Sequence, residues 1–343
     1  MGKSTIVKLV ALQLLKTNDY HILPIMCPKD IVKYFDPNIK QIYIIDDICG
    51  KFSVDQSMIN SWERVNRQIL KYRKGNKEFR VLGTCRSEIS ISSPFRKLQE
   101  KYGITECNLL QKKFLYSKEE KLKIAACHID EETIKQLDDE ILNAYNMFPL
   151  LCMMYAASES NPGVSFFEYP LQAIEEQLDK MQEQNECCFI GLALIVIYNN
   201  KLYKHLLQNR HDQTFEDVFN DVFEDLGLVN RPSKRSVLSS LQAQKGIYTK
   251  ELESTITVIH DKTFDIFALY FGKRIPKTIL THGSGTFIAE RFLFESIEED
   301  CDDLKIVLPS ELEHSYFNRI VEEIENNRFY NVFENVQVRN ELY

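Results

Sequence analysis

The chain has 343 residues, of which 44% are hydrophobic, and its formal net charge at pH 7 is −8. This length predicts two or three domains, and the apolar fraction is large enough for a core in each. An acidic chain has no overall attraction to nucleic acid or to an anionic membrane, so its charge favours a protein or a small molecule as partner. The longest apolar run, Cys187 to Tyr198, is far shorter than the roughly 20 residues of a membrane span and predicts a buried helix.

The nine cysteines show neither a C-x-x-C pair nor the paired spacing of a zinc site. We interpret them as reduced thiols in the core of a cytoplasmic protein, because disulfides are rare in that compartment.

The first motif in the chain is Gly2-Lys3-Ser4-Thr5, which matches the last four residues of the phosphate-binding loop G-x-x-x-x-G-K-[ST]. The front half of that loop is absent from this sequence. In a complete loop the lysine reaches the β- and γ-phosphates and the hydroxyl binds Mg²⁺ at a helix N-terminus. We therefore expect all four residues to bind nucleotide and Ser4 also to be a ligand of the metal ion. The apolar segment Ile6 to Leu15 predicts a buried helix after the loop.

Two short apolar runs follow. His21 to Met26 predicts a strand, and Pro24 indicates an edge position or a bulge. Gln41 to Asp47 has the Walker B pattern, a buried parallel strand that ends in two carboxylates. We expect Asp46 to hold Mg²⁺ and Asp47 to orient or activate the attacking water.

A further strand, Phe79 to Gly83, ends in Thr84-Cys85-Arg86 and places polar groups at the same edge of the sheet. Arg86 is positioned to contact the γ-phosphate. Taken alone, two aspartates at the end of a strand more often indicate a turn than a metal site. The alternative interpretation of Arg86, taken alone, is an arginine on the surface after a strand. The alternating order of helices and strands around these motifs nevertheless predicts the α/β core of a P-loop NTPase.

These residues resemble a known family, the signal-transducing STAND NTPases, and most closely their novel STAND NTPase 3 domain. The block from Lys40 to Gly50, followed by Trp62, is similar to the family's Walker B region, and Gly83 to Arg86 is similar to its sensor 1 strand end. Asn146 to Cys152 resembles its F-P-L motif, and Val258 to Asp261 resembles the h-H-D motif of its winged-helix domain.

The resemblance implies roles for two residues outside the first third of the chain. Pro149 would pack near the nucleotide base, and His260 would approach the β-phosphate in the resting ADP state. The fold implied is an α/β P-loop NTPase core (1–114), then an all-α helical domain (115–180), a winged-helix domain (181–280) and a helical C-terminal segment (281–343). In that last segment the acidic run 298–303 indicates a solvated face.

The middle of the chain supports this order. Ser117 to Glu120 is a capping-box pattern, and helical periodicity follows it as far as Ala157. Ser233 to Leu241 has the place of a recognition helix, and Ser254 to Ile259 has the β-branched residues of a wing strand. Residues 181–280 hold 12 Lys/Arg and 12 Asp/Glu, whereas a domain that binds DNA through several phosphates needs a positive excess. Direct nucleic-acid binding is therefore disfavoured.

We expect a nucleotide-dependent signalling switch that binds ATP or ADP with Mg²⁺, hydrolyses slowly and controls self-association and protein signalling partners, in innate-immune or stress signalling. The alternative is an interaction scaffold of the same fold that neither binds nor hydrolyses nucleotide. A winged-helix DNA-binding protein is the third and least favoured interpretation.

Overall fold

The computed structural model describes residues 2–50, 54–109, 111–145, 147–158, 162–208, 212–296, 305–333 and 335. The chain forms two compact units, Met1–Ser117 and Lys118–Tyr343. The finer division into four domains stays a prediction. The first unit alternates helices and strands in this order: α1 Lys3–Asn18, β1 His21–Pro24, α2 Pro28–Tyr34, β2 Gln41–Ile45, α3 Gln56–Gly75, β3 Phe79–Gly83, α4 Ser87–Ser90, α5 Ser93–Tyr102 and a 3₁₀ turn Lys112–Phe114.

The first unit is built on a parallel sheet of three strands in the order β1-β2-β3. His21 pairs with Gln41, and Ile45 pairs with Gly83. All five residues of β2 are buried, as expected of a continuous apolar strand that lies between two neighbours. Side chains that alternate along β2 face two cores: Tyr43 and Ile45 pack with α2, α3 and α5, while Ile42 and Ile44 pack with α1.

Helix α1 confirms the predicted helix but corrects its predicted burial. Within α1, all of whose residues the structure describes, Ala11 alone is buried. Val7 and Leu14 pack beside it on the sheet, whereas Leu9 is 59% exposed. The reason is geometric: one side of the helix lies on a three-stranded sheet, and its other apolar sides have no second layer over them in the part of the chain described.

The second unit is mainly helical. Its elements are α6 Lys118–Ala125, α7 Glu131–Gln136, α8 Asp139–Ala144, α9 Phe148–Ala156, α10 Ser165–Glu168, α11 Pro170–Gln184, α12 Glu186–Ile197, β4 Leu202–Tyr203, α13 Lys204–Gln208, α14 Gln213–Asp225, α15 Lys234–Ala243, β5 Thr249–Glu251, β6 Thr255–Val258, α16 Asp261–Arg274, α17 Pro276–His282, α18 Gly285–Arg291, β7 Phe292–Phe294, β8 Ile306–Leu308, a 3₁₀ turn Ser310–Leu312, α19 Glu313–Glu325 and α20 Phe329–Phe333.

The core of the second unit surrounds α12. This helix packs against α11, α14, α15 and α16, and the apolar run that predicted it is buried as expected. After α12 comes a small antiparallel sheet in the order β4-β6-β5, with α13, α14 and α15 placed between β4 and β5 in the chain. The hairpin of β5 and β6 pairs Glu251 with Ile256.

The C-terminal part contains a feature that the sequence did not predict, the parallel pair β7 and β8, in which Leu293 pairs with Val307. The predicted acidic face at 298–303 lies outside the described residues. None of the helices in the described part of the chain has the length and apolar character that a bilayer crossing requires.

The cysteines only partly match the expectation of core thiols. All eight in the described ranges are free thiols. Three of them, Cys49, Cys152 and Cys188, are buried, whereas Cys107 and Cys127 are exposed because they lie on polar surface segments.

Candidate functional site

The carboxyl ends of β2 and β3 bring together Asp46, Asp47 and Thr84. Because the strands are parallel and Ile45 pairs with Gly83, the residues that follow them meet at one edge of the sheet. The Thr84 hydroxyl donates a hydrogen bond to Oδ1 of Asp46 at 3.1 Å and accepts one from the backbone N–H of Asp47 at 2.9 Å. A single buried hydroxyl therefore connects the Asp46 carboxylate with the backbone of Asp47.

The turn after β2 has an unusual backbone. Asp47 has a φ of 51°, a left-handed conformation that costs most L-residues about 1–2 kcal/mol and that Asp and Asn tolerate best. The Gly50 N–H closes the turn on the Asp47 carbonyl oxygen at 3.0 Å. Asp46 is exposed and Asp47 half-buried, so both carboxylates are within reach of a ligand.

The single tryptophan of the chain anchors this turn from behind. The indole N–H of Trp62 donates to the Ile48 carbonyl oxygen at 2.8 Å, and the Tyr102 hydroxyl donates to the Trp62 carbonyl oxygen at 2.6 Å. Gly83 is required for the close approach, because a Cβ at this position would lie 2.3 Å from Cγ2 of Ile48. The turn is thus held by α3, α5 and β3 together.

The N-terminus of α1 lies at the same edge of the sheet. Helix α1 begins at Lys3 with Gly2 as its N-cap residue, so the first-turn N–H groups of an apolar 16-residue helix are available to an anion. Burial raises the pKa of the Cys85 thiol to about 12, while the charge of Lys3 acts to lower it and that of Asp47 to raise it. Lys3 and Asp47 are therefore both near Cys85. Ser4 is half-buried and Thr5 exposed in this first turn.

Arg86 follows the same strand end. It is the residue before α4, with extended backbone geometry, and its side chain is half-buried. Its Nη2 atom is shielded from solvent. The guanidinium is thus placed beyond Thr84 at the edge where a phosphate chain would lie.

Pro149 and His260 belong to the second unit. Pro149 is the second residue of α9, a position that suits proline because the N–H it lacks would have no helical partner. His260 is the N-cap of α16, and its Nδ1 accepts a hydrogen bond from the Lys262 N–H at 3.1 Å. Burial lowers the pKa of this imidazole from 6.5, so at neutral pH the ring is uncharged and its proton is on Nε2.

Two basic residues near the start of α15 share one carboxylate within the second unit. Glu216 of α14 accepts from Arg231 at 2.8 Å and pairs with Lys234 at 2.6 Å. Both cations also lie over aromatic rings of α14, Arg231 over Phe219 and Lys234 over Phe215. This cluster stabilises the packing of α14 on the start of α15, which leaves less positive charge for a nucleic-acid backbone.

The described residues contain no group of three or more His, Cys, Asp or Glu side chains that could hold a metal ion. A magnesium ion shared with a nucleotide needs fewer protein ligands, because phosphates and waters supply the rest. The donors expected here, the Asp46 carboxylate and the Ser4 hydroxyl, are hard oxygens and fit Mg²⁺ chemically. With Oδ1 of Asp46 fixed by Thr84, the carboxylate is oriented rather than free to rotate.

Sequence reasoning assigned no role to the two residues that organise this site. Thr84 was noted only as one of the polar groups after β3, and Trp62 only as part of the family resemblance. The signal for Thr84 was its position, because it follows a buried strand directly beside the strand that ends in two aspartates. No local pattern reveals Trp62, since its bond to Ile48 depends on how α3 packs.

Comparison with known proteins found a match to a protein family. The family model of Novel STAND NTPase 3 matches residues 1–131, which cover the first unit and continue into the second. Curated proteins gave no match, and solved structures gave none. The resemblance read from the motifs is confirmed over this part of the chain.

Proposed function

With residues 1–131 matching a family of STAND-type NTPases, we propose that this protein is a nucleotide-dependent switch that binds ATP or ADP with Mg²⁺ and hydrolyses ATP slowly. The observation that carries the proposal is the arrangement of Asp46, Thr84 and Asp47 at the carboxyl edge of the sheet, with Lys3 nearby. A turn with a purely structural role does not need two accessible carboxylates beside a helix N-terminus, so this arrangement favours the binding of a ligand.

Each residue has a role that its chemistry supports. Lys3 and the first-turn N–H groups of α1 would bind the phosphates. Asp46 and Ser4 would hold Mg²⁺, which when bound neutralises charge on the phosphates. Asp47 would orient the attacking water, and Arg86 would stabilise charge on the transferred phosphoryl group.

We also propose that residues 181–280 form a winged-helix domain. The support is the element order α12, β4, α13, α14, α15, β5, β6 together with the sheet order β4-β6-β5, a helix-rich unit closed by a hairpin. In this proposal His260 senses the β-phosphate through its Nε2–H, and Pro149 packs near the base. Exchange of ADP for ATP would then change self-association and contact with signalling partners in the cytoplasm.

The proposal is tested with Asp46→Asn and Asp47→Asn in the full chain. Asp46→Asn removes a metal ligand, so it should weaken ATP binding in the presence of Mg²⁺ about 10-fold or more while leaving binding in EDTA unchanged. Asp47→Asn keeps the left-handed backbone and should spare binding but reduce turnover by about 10²-fold or more, because it acts on the transition state. Calorimetric titration with ATP and a phosphate-release assay measure the two effects.

Asp19→Asn is the matched control. Asp19 is exposed and has a φ of 59° at the end of α1. Asp19→Asn is therefore the same substitution in the same backbone conformation, but it lies just before β1 begins and not at the carboxyl ends of the strands. It should leave binding and turnover unchanged. If the unaltered chain shows no Mg²⁺-dependent binding of ATP or ADP, the switch is refuted and the interaction scaffold is the better interpretation. If both site variants hydrolyse ATP at the parental rate, the assignment of the two carboxylates is wrong.

A further inference from the structure

Thr84 makes two side-chain hydrogen bonds to the turn after β2. It is 4% exposed, and its Oγ1 accepts from the Asp47 N–H while donating to Oδ1 of Asp46. A hydroxyl has one proton to give, so the directions of these bonds are fixed by the chemistry of the partners. The geometry links the orientation of one carboxylate to the backbone of the next residue.

The main chain of Thr84 is held independently of its hydroxyl. Its N–H donates to the Ile45 carbonyl oxygen at 3.1 Å, and its carbonyl oxygen accepts from the Ile48 N–H at 2.9 Å. These bonds extend the pairing of β2 and β3 and survive any substitution that keeps the strand. The side-chain bonds are therefore not needed to hold the two strands together.

What the hydroxyl adds is orientation. Asp46 is exposed, so without a partner its carboxylate would sample several rotamers in water. Asp47 is in a left-handed conformation, and without the hydroxyl its N–H would lose its acceptor, which weakens the turn. Both effects would lower the fraction of molecules in which the two carboxylates are placed to act together.

We propose that Thr84 is a positioning residue that fixes the metal-binding carboxylate of Asp46 and the turn that carries Asp47. The proposal rests on the proposed function, in which Asp46 holds the Mg²⁺ of a bound nucleotide. In this proposal Thr84 acts through the two aspartates, to which its hydroxyl is bonded.

The test compares Thr84→Val, which removes the hydroxyl at nearly constant shape, with Thr84→Ser, which keeps it. The probe is ADP carrying a methylanthraniloyl fluorophore, titrated with MgCl₂ and with EDTA. We expect Thr84→Val to reduce the Mg²⁺-dependent gain in affinity about 10-fold, the effect of one hydrogen bond to a charged group, and to leave affinity in EDTA unchanged. Thr84→Ser should restore the gain.

Ser61→Ala is the matched control. Ser61 lies in α3, is buried, and its Oγ has no hydrogen-bond partner among the described residues. It removes a buried hydroxyl from the same unit without touching the turn. It should leave the Mg²⁺-dependent gain at the parental value, which separates loss of orientation from a general loss of stability.

A second readout needs no ligand. Because Trp62 is bonded to Ile48 in the same turn, its emission in the ligand-free protein reports whether the turn keeps its place. Thr84→Val should shift the emission maximum or increase quenching by acrylamide, Thr84→Ser should not, and Asp46→Asn should not. If Thr84→Val fails to fold, Thr84→Ala replaces it in both measurements.

The outcomes separate the two proposals. If the unaltered protein binds the probe with a Mg²⁺-dependent gain and Thr84→Val keeps that gain, the positioning role is wrong while the switch stands. If Thr84→Ser loses the gain as Thr84→Val does, the hydroxyl is not responsible and the proposal is also wrong. If the unaltered protein shows no Mg²⁺-dependent gain in affinity for the probe, the proposed switch is wrong. In that case Trp62 emission still tests Thr84, and an unchanged emission in Thr84→Val would overturn the proposed effect of Thr84 on the turn.

Discussion

Helix α12 is apolar along almost its whole length, helix α1 is apolar in eight of its 16 residues, and the two have opposite surroundings. In α12, ten of the 12 residues are buried, whereas in α1, which is described throughout, one of the 16 residues is buried. Leu192 of α12 is fully buried and Leu9 of α1 is 59% exposed. An apolar sequence predicts that a helix is suited to burial, but the number of layers around the helix decides how much of its surface is removed from water.

The difference follows from the architecture of each unit. Helix α12 is surrounded by four helices and the strand β6, which cover it on all sides. Helix α1 lies on one face of a three-stranded sheet and contacts β1 and β2. The same kind of side chain therefore contributes strongly to stability in α12 and weakly on the exposed sides of α1.

The largest effect is expected for Phe189→Ala in α12. Phe189 is fully buried and its ring lies 5.1 Å from that of Phe271 and 6.1 Å from that of Tyr270. Removing it leaves a cavity at the centre of the unit and should lower the free energy of unfolding by about 3–5 kcal/mol. Urea denaturation followed by far-ultraviolet circular dichroism measures the change. A loss under about 1 kcal/mol would contradict the central position of α12.

A smaller effect is expected for Gly191→Ala on the same helix. A Cβ at Gly191 would lie 2.6–2.9 Å from three side-chain carbons of Leu241, which is itself fully buried. Overpacking at this contact should cost about 1–3 kcal/mol, even though alanine favours helices over glycine. Leu241→Ala in the same chain makes room for the new methyl group. The double variant should therefore lose less than the sum of the two single variants, and strict additivity would disprove the close contact.

The smallest effect is expected for Leu9→Lys in α1. Because Leu9 is mostly exposed, a charged replacement should change the free energy of unfolding by no more than about 0.5 kcal/mol. Trp62 emission during urea denaturation follows the first unit, since the only tryptophan of the chain lies there. A loss above about 1 kcal/mol would show that the exposed face of α1 is covered in solution, and the contrast with α12 would then disappear.

The sequence predicted the regular elements best where their pattern was strong. Strand β3 was expected at Phe79 to Gly83 and is found there, and Pro24 correctly indicated an edge strand, because a residue without an N–H cannot pair on both sides. Strand β5 was missed because Thr249 to Glu251 is polar, and β8 because it has three residues. Such strands are stabilised by their partners rather than by local preference.

The candidate site could be predicted as a set of residue types but not as an arrangement. Asp46 and Asp47 were expected at the end of a strand, and they lie there. The left-handed backbone of Asp47 and its bond to Thr84 depend on the register between two strands far apart in the chain. No local pattern contains that register, so the link between the Asp46 carboxylate and the Asp47 backbone became visible only in the fold.

The spacing of the paired strands also sets the order in which the chain assembles. Glu251 and Ile256 pair across a short hairpin, which closes in about 1–10 μs. Ile45 must instead find Gly83, 38 positions later (83 − 45), after a long segment has folded back, and such non-local pairing is slow. Until it does, the apolar strand β2 is exposed to association with other chains. Assembly of the parallel sheet is therefore the step at which this protein is most vulnerable to misfolding during synthesis.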